Sequence, residues 1–258
     1  MKQMLEQIKE TSILAGNAIM EIYNTDFHVE TKSDDSPLTM ADKAANKIII
    51  EVLKKTYPEY AILSEEEKDD LTRRDNEFCF IVDPLDGTKE FVKKNGEFTV
   101  NIALAQHQEV VLGVIYVPVA RQIYYAAKGI GAFFEDLITG EKKKMSVSDK
   151  LDDLIWVGSK SHSSEKEAMI IAQHQEVIET IVSAGSSLKG CMVANAQADI
   201  YYRFGFTCEW DTAAMQCIVE QAGGIFRQMD HSKMLYNREN TLNDKGFYIV
   251  NRKENIWI

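Results

Sequence analysis

Residues 78–88 (FCFIVDPLDGT) are the feature that most constrains what this chain can fold into. The five apolar or aromatic residues at 78–82 are rich in β-formers and predict a short buried strand. Asp83 follows that strand directly. Pro84 cannot extend a sheet ladder, so we expect the chain to turn there and lift residues 85–87 out at the strand's end. The sequence therefore predicts a buried strand that ends on a carboxylate.

Two carboxylates on this turn point to a metal ion. Asp83 and Asp86 are three positions apart and can face one point, and Gly87 lets the backbone come close to a ligand. Thr88 adds a hydroxyl beside them. Hard oxygen ligands of this kind suit Mg²⁺, which prefers one or two carboxylates, several waters and a substrate phosphate. The alternative is a solvated turn with incidental acids, and the apolar strand before it argues against that alternative.

Composition limits the kind of partner. The chain has 258 residues, 45% hydrophobic and 27% charged, which is ordinary for a globular protein of one large domain or two halves. The net charge of −11 argues against a nucleic-acid polymer or an anionic membrane as the main partner. A small anionic substrate stays possible, because metal ions invert the local field.

Cysteine usage and hydropathy indicate a cytoplasmic protein. The cysteines form no C-x-x-C pair, so we expect free thiols in a reducing compartment and neither a disulfide nor a zinc site. The first residues are charged, so we expect no signal peptide, and no run is long enough to be a transmembrane segment. Peripheral association with the inner membrane stays open, as does the choice between monomer and homodimer. The cysteines are Cys79, Cys191, Cys208 and Cys217.

The first half predicts two helices against a largely antiparallel sheet. Apolar residues at steps of three and four predict a helix near 3–24, and a second helix opens at residues 39–42 and closes at Tyr57-Pro58. Residues 24–37 and the basic stretch 89–96 are expected to be loops. The predicted strands besides 78–82 are 61–64, 98–104, 110–117, 123–127 and 132–134.

Three further acids have two interpretations each. Asp42 can close a capping box with Thr39, or it can take part in chemistry. Glu65 follows strand 61–64 as Asp83 follows its own strand, so two strand ends at one sheet edge can share a metal; the alternative is a solvated run of acids. Asp211 can stabilise a helix N-terminus through the dipole, or it can be a metal ligand brought from the second half.

The second half alternates strands and helices. The polar run 141–144 is the best candidate junction. We therefore divide the chain into an N-terminal α+β half, 1–145, with the metal motifs, and a C-terminal α/β half, 146–258, that supplies Asp211 and substrate contacts. The predicted strands are 154–157, 199–202, 224–227 and 247–250, with an apolar run at 177–182. The predicted helices are 163–173, 188–196 and 210–222.

Three motifs in order carry a resemblance. Residues 63–66 (LSEE), 83–88 (DPLDGT) and 210–214 (WDTAA) resemble the motifs of the inositol monophosphatase-like, Mg²⁺-dependent, lithium-sensitive phosphatases, over nearly the whole chain. Residues 86–91 (DGTKEF) and 95–104 (NGEFTVNIAL) are similar to the branch of bacterial 3′(2′),5′-bisphosphate nucleotidases. Residues 185–189 (GSSLK) and 203–205 (RFG) also fit that branch.

The resemblance implies an α+β fold, a layered αβαβα sandwich of the inositol monophosphatase and sugar phosphatase type. It implies two or three Mg²⁺ ions held between the halves, with Asp42 and Thr88 activating the attacking water. The implied metal ligands are Glu65, Asp83, the carbonyl of Leu85, Asp86 and Asp211.

The resemblance also implies the substrate, a small phosphorylated nucleotide. This is 3′-phosphoadenosine 5′-phosphate, cleaved to AMP and phosphate. The metal-side contacts are Glu65, Leu85, Asp86, Gly87, Thr88 and Asp211. Beyond the metal site, the candidate contacts are His162, Gly185, Ser186 and Lys189, against the alternative of ordinary surface residues. Residues 206–209 (FTCE) depart from the family, where a Pro-Thr pair is common, and this leaves the base-side contacts open.

Rival functions remain open. The nearest is hydrolysis of inositol monophosphate or of a sugar bisphosphate by another branch of the same superfamily. A haloacid dehalogenase-type phosphatase also uses an Asp-rich motif, but there one residue separates the two aspartates, whereas two separate Asp83 from Asp86. A non-enzymatic, divalent-ion-dependent binding module would lack turnover.

Overall fold

The computed structural model describes residues 1–25, 37–69, 71–159 and 164–258. In these ranges the α-helices α1 to α6 span Lys2–Tyr23, Pro37–Thr56, Thr88–Val92, Glu165–Gln173, Leu188–Ala194 and Glu209–Gln221. The strands β1 to β7 span Ala61–Ser64, Phe78–Asp86, Thr99–Gln106, Glu109–Val117, Gln122–Ala127, Gly131–Asp136 and Lys142–Lys144. The strands β8 to β14 span Leu154–Ser159, Ile178–Ala184, Ile200–Arg203, Thr207–Cys208, Ile225–Gln228, Leu242–Asn243 and Phe247–Val250.

The two long N-terminal helices pack as their periodicity predicts. Leu5 and Ile19 of α1 and Ile49 of α2 are buried against the first sheet. Helix α2 begins at Pro37, so Thr39 lies inside its first turn and cannot be the cap that precedes the helix. The capping-box interpretation of Thr39 with Asp42 is therefore wrong. Most of the predicted loop 24–37 lies outside the described residues.

The first sheet contains seven strands in sequential order, β1 to β7. Strands β1 and β2 are parallel and every later neighbour pair is antiparallel, which confirms the prediction of a largely antiparallel sheet. Residues 142–144, predicted to lie in a junction, instead form the exposed edge strand β7 against β6. The connection to the second sheet follows at residues 145–153, and the division into halves at 145 stays a prediction.

Strand β2 does not end at Asp83 as predicted. It continues to Asp86 with a shift of register, because Asp83 lies opposite Asn101 whereas Asp86 lies opposite Thr99. The extra residue on β2 is accommodated around Pro84, which has no N–H for the ladder and is tolerated at such an irregularity. The predicted loop at 89–96 is also wrong at its start, because α3 occupies its first residues.

The second sheet is mixed and has the order β12-β14-β10-β8-β9. Strands β8 and β9 are parallel, whereas β10 and β14 are antiparallel. A two-stranded pair, β11 with β13, lies beside it and was not predicted. The predicted strands and helices of this half are otherwise confirmed to within a few residues.

The layers are helices α1 and α2, the first sheet, helices α5 and α6, the second sheet, and helix α4. Ala213 on α6, Ile81 on β2 and Val157 on β8 share the central core, whereas Ile170 on α4 packs with Trp156 on the outer face of the second sheet. This confirms the layered αβαβα sandwich. All four cysteines are free, as predicted. Within the described ranges, no helix combines the length and apolarity that a membrane crossing requires.

Candidate active site

The parallel pairing of β1 with β2 places two acids close together. Ser64 is the register partner of Val82 in the parallel pair, and the N–H of Glu65 donates to the carbonyl of Val82 at 3.2 Å. Glu65 therefore leaves its strand next to Asp83. The structure brings Glu65 and Asp83 together at one side of the sheet, although Glu65 is exposed and does not belong to the group of acids described next. That Glu65 shares a metal with Asp83 stays a prediction.

Asp83, Asp86 and Asp211 form a carboxylate cluster. One oxygen from each lies within 4.8 Å of the others. Asp83 and Asp86 come from β2, and Asp211 comes from the first turn of α6. Asp83 is only 1% exposed. The cluster is therefore assembled from both halves of the chain.

The electrostatics of the cluster favour a bound cation. Burial raises the pKa of Asp83 well above its usual value, and the charges of Glu65, Asp86, Asp211 and Asp42 raise it further. Burial and then Asp86 raise the pKa of Asp211 to about 7, although the N–H of Cys208 opposes the shift. Hard oxygens that repel one another around the buried Asp83 fit a divalent cation.

Hydrogen bonds fix the orientation of Asp86. Its Oδ2 accepts from the N–H of Ser187 at 2.7 Å and from the hydroxyl of Ser187 at 2.8 Å. The side-chain amide of Asn101 donates to the same oxygen at 3.2 Å, and the hydroxyl of Thr99 at 3.4 Å. These four hydrogen bonds to the Asp86 side chain all end on Oδ2.

Asp211 makes a helix-capping contact and also lies in the carboxylate cluster. Its Oδ2 accepts from the N–H of Cys208 at 2.6 Å, which is a helix-capping contact at the start of α6. The same carboxylate reaches the cluster. The hydroxyl of Ser187 also donates to the carbonyl of Asp211 at 3.1 Å. Capping and a place in the cluster are thus compatible.

Glu209 anchors the start of α6. Its fully buried carboxylate accepts from the N–H of Asn237 at 2.6 Å, and from the N–H and Nε of Arg238 at 2.9 and 3.1 Å. Arg73, in the segment after β1, donates to the side chain of Asn237 at 2.7 Å. Burial raises the pKa of Glu209, and the hydrogen bonds and charge of Arg238 oppose the shift. These bonds tie the helix that carries Asp211 to the N-terminal half.

Gly87 and Thr88 shape the wall beside the cluster. Gly87 has a φ of +94°, and a Cβ there would lie 3.2 Å from both Phe98 Cα and Ser186 Cβ. Only glycine fits this turn without displacing its neighbours. Thr88 is the first residue of α3 and lines the adjoining cavity.

A cavity of about 310 Å³ extends from the carboxylates. It passes the 185–187 turn and reaches the loop after β10. Its lining includes Asp86, Thr88, Ser186, Lys189, Arg203, Phe206 and Asp211. Acidic, basic and aromatic side chains thus line one cavity.

The predicted substrate residues of the 185–189 segment line this cavity, and each is held by the protein. The N–H of Gly185 donates to Oε2 of Glu97 at 2.8 Å, and the hydroxyl of Ser186 donates to the carbonyl of Glu97 at 2.6 Å. The ammonium of Lys189 donates to the carbonyls of Ser186 at 2.5 Å and Ala184 at 3.4 Å. Burial lowers the pKa of Lys189.

His162 lies outside the described residues. Asp42 is 8% exposed on α2, and its charge contributes to the raised pKa of Asp83, so it belongs to the same electrostatic neighbourhood. Sequence reasoning missed Ser187 and Asn101 as supports of Asp86, and Arg203 as a cation on the cavity wall. All three lie in stretches that carry the family resemblance, which was the available signal.

The layered fold and the carboxylate cluster shared between two halves define a metal-dependent phosphatase. A profile of the inositol monophosphatase family matches residues 1–256. The chain belongs to the inositol monophosphatase family and is a phosphoric ester hydrolase.

Among its relatives, the chain is 41% identical to the 3′(2′),5′-bisphosphate nucleotidase CysQ of Salmonella typhimurium, covering 96% of this chain and 99% of the relative. It is 39% identical to the protein of that name in Escherichia coli K12, covering 95% and 99%. The crystal structure of CysQ from Bacteroides thetaiotaomicron superimposes with a TM-score of 0.88 at 38% identity, over 97% of this chain and 98% of that one. An inositol monophosphatase from Zymomonas mobilis, 21% identical, shares the fold with a TM-score of 0.81 over 99% and 95%.

Proposed function

We propose that this protein is a Mg²⁺-dependent, lithium-sensitive 3′(2′),5′-bisphosphate nucleotidase that hydrolyses 3′-phosphoadenosine 5′-phosphate to AMP and phosphate. The observation that carries the proposal is a carboxylate cluster whose Asp86 and Asp211 line the same cavity as Arg203 and Phe206. The relatives named as 3′(2′),5′-bisphosphate nucleotidases support this choice of substrate.

The proposed metal ligands are the carboxylates of Glu65, Asp83, Asp86 and Asp211 and the carbonyl of Leu85. They would hold two or three Mg²⁺ ions. When bound, the ions would neutralise the phosphate, make water a better nucleophile and stabilise the leaving oxygen. These acids repel one another around the buried Asp83, which is the reason that a dication fits the site.

The other residues at this end orient the reactants. The amides at Gly87 and Thr88 would receive the oxygens of the scissile phosphate. Asp42 and Thr88 would position the attacking water, and Asp42 would accept its proton. The charge of Asp42 acts on Asp83, which supports a place for Asp42 near the proposed metal ligands.

The second phosphate needs cations away from the metals. Arg203 lies on the cavity wall, 3.4 Å from Nη2 to the carbonyl of Phe206. Lys189 and the turn at Gly185 and Ser186 are on the same wall, and His162 belongs to the predicted set. A phosphomonoester with a single phosphate would not use these contacts.

Phosphate release from 3′-phosphoadenosine 5′-phosphate, with and without Mg²⁺ and with added lithium, tests the proposal. Inositol 1-phosphate and fructose 1,6-bisphosphate are the comparison substrates. We expect the nucleotide to have the highest kcat/KM and lithium to inhibit. Faster hydrolysis of either comparison substrate would assign another branch of the superfamily, and full activity after exhaustive chelation would reject the metal mechanism. Absence of turnover on all three would favour a binding module.

A further inference from the structure

Phe206 is the exposed aromatic residue of the cavity wall. It is 67% exposed, although it lines the same cavity as Asp86 and Asp211. A single exposed apolar side chain on a surface is common and carries no meaning by itself. Here the exposed residue lines the cavity that the carboxylate cluster also lines.

The backbone on each side of Phe206 is fixed. Strand β10 ends at Arg203, which pairs with Phe247, and β11 begins at Thr207, which pairs with Asn243. Only residues 204–206 lie between these paired positions. A Cβ on Gly246 would come within 2.4 Å of the Arg203 carbonyl, so the neighbouring chain passes very close to the start of this stretch. The ring is thus carried by a short, anchored segment, which favours a preorganised contact surface.

The polar groups of the cavity do not account for recognition of a nucleobase. The carboxylate cluster accounts for the phosphate that is cleaved, and the basic side accounts for a second one. A nucleotide differs from an inositol phosphate or a sugar bisphosphate in having a flat aromatic base. Neither group of residues recognises that base. An exposed aromatic ring offers a face on which any base can stack.

We propose that Phe206 is the platform on which the nucleobase of the substrate stacks, and that it thereby determines specificity for nucleotides. This inference rests on the proposed function, since it names a contact for the same substrate class. It also assigns a role to a position where the chain departs from its family's common Pro-Thr pair.

The kinetic test compares Phe206→Ala with Phe206→Tyr on 3′-phosphoadenosine 5′-phosphate and on β-glycerophosphate, which has no base. Loss of a stacking contact predicts a fall of about fivefold to hundredfold in kcat/KM for Phe206→Ala on the nucleotide alone. Phe206→Tyr should retain activity within about twofold, because its ring still stacks. Ile138→Ala is the matched control, since Ile138 is 68% exposed and is not among the residues that line the cavity. Equal losses on both substrates, or no loss on either, would overturn the proposal.

A binding test separates this inference from the proposed function. In the Phe206→Trp variant with Mg²⁺, AMP should quench indole fluorescence more than in the wild type, whereas ribose 5-phosphate should not. This readout requires no turnover. If the wild type fails to hydrolyse the nucleotide and AMP still quenches, the proposed reaction is wrong and the base site stands. If AMP and ribose 5-phosphate give the same signal, the base site is wrong even when hydrolysis occurs.

Discussion

Ser187 donates both its backbone N–H and its hydroxyl to a single oxygen of Asp86, at 2.7 and 2.8 Å. The serine belongs to the C-terminal half and the aspartate to the N-terminal half. Ser187 is 2% exposed, and its hydroxyl also receives a bond from Asn101 at 2.9 Å. One side chain thus orients a proposed metal ligand across the junction between the two halves.

Ser187→Ala should weaken the metal site without unfolding the protein. The variant keeps the backbone bond to Asp86 but loses the hydroxyl, and outer contacts of this kind are worth about 10–100-fold in metal affinity or activity. We expect the Mg²⁺ concentration for half-maximal activity to rise by about tenfold, measured by titration at fixed substrate. Ser12→Ala is the control, because Ser12 is a buried serine whose hydroxyl bonds a helix carbonyl in α1. An unchanged Mg²⁺ requirement in Ser187→Ala would contradict the assignment.

Asp211→Asn separates capping from metal binding. The amide oxygen of asparagine can still accept the bond from Cys208, so α6 should keep its cap. Removing one of several repelling charges should leave the melting temperature in the absence of Mg²⁺ equal to or above that of the wild type. Activity should collapse, as it should in Asp86→Asn. Near wild-type turnover of both variants at low Mg²⁺ would show that the ligands are assigned wrongly.

Asp42→Asn tests the role of Asp42 as a base. An amide cannot accept the proton of the attacking water, and general-base assistance is typically worth about 10²–10⁴-fold. We therefore expect kcat to fall by at least about 10²-fold, with little change in melting temperature or Mg²⁺ affinity. Thr88→Val should cost a similar factor, and the double variant little more, because members of one relay are not additive. A large loss of stability with a modest loss of kcat would assign Asp42 a structural role.

Lys189→Ala distinguishes a phosphate contact from a structural one. If the ammonium binds the phosphate that is not cleaved, kcat/KM should fall by about tenfold to hundredfold on the bisphosphorylated nucleotide and much less on a monophosphate. If the main role of Lys189 is to bond the carbonyls of Ser186 and Ala184, kcat/KM should fall by the same factor on both substrates. The ratio of the two losses decides between them.

A buried ion pair far from the cluster predicts a pH dependence of stability. Lys9 of α1 and Glu135 of β6 lie 3.0 Å apart, and both are largely buried. Burial would raise the pKa of Glu135, but the hydrogen bonds from Lys142 and Lys9 outweigh it and lower the pKa. A carboxyl whose pKa is lower in the folded protein than in the unfolded chain stabilises the fold at pH values above its unfolded pKa. That stabilisation is lost as the pH falls through the pKa of the folded state.

Glu135→Gln should accordingly lower the free energy of unfolding by about 1.5–3 kcal/mol at pH 7, measured by urea denaturation. The difference from the wild type should shrink below about pH 4. Glu51→Gln is the control, because the Lys47–Glu51 pair spans 4.0 Å and both side chains are exposed. A difference that did not change with pH would show that packing, rather than charge, is responsible.

Much of this architecture could be predicted because its signals are local. The apolar stretch before Asp83 and the one before Glu65 each ended in an acid, and parallel neighbours necessarily bring such ends together. The helical periodicity of α1 and α2 was equally direct. The order of the second sheet was not predictable, since β10 pairs with β14 and β8 through contacts that are distant in sequence.

Other details depend on tertiary geometry that no residue pattern encodes. Pro84 was expected to end a strand, yet β3 accommodates it within an irregular pairing. Gly185 and Ser186 were expected to contact substrate, but nothing in the pattern showed that the next residue, Ser187, donates to Asp86 and to the carbonyl of Asp211. Lys189 was expected to face a phosphate, and its described hydrogen bonds go to backbone carbonyls.

The two sheets differ in the sequence separation between their paired strands. From β2 to β7 each strand pairs with the next one in sequence, so the first sheet closes through short connections. In the second sheet, β10 pairs with β14, which lies near residue 250 and is distant from β10 in sequence. Because closing long loops costs entropy before contacts repay it, we expect the first sheet to acquire amide protection earlier during refolding. Pulse-labelling hydrogen exchange would measure this order, and simultaneous protection of both sheets would contradict it.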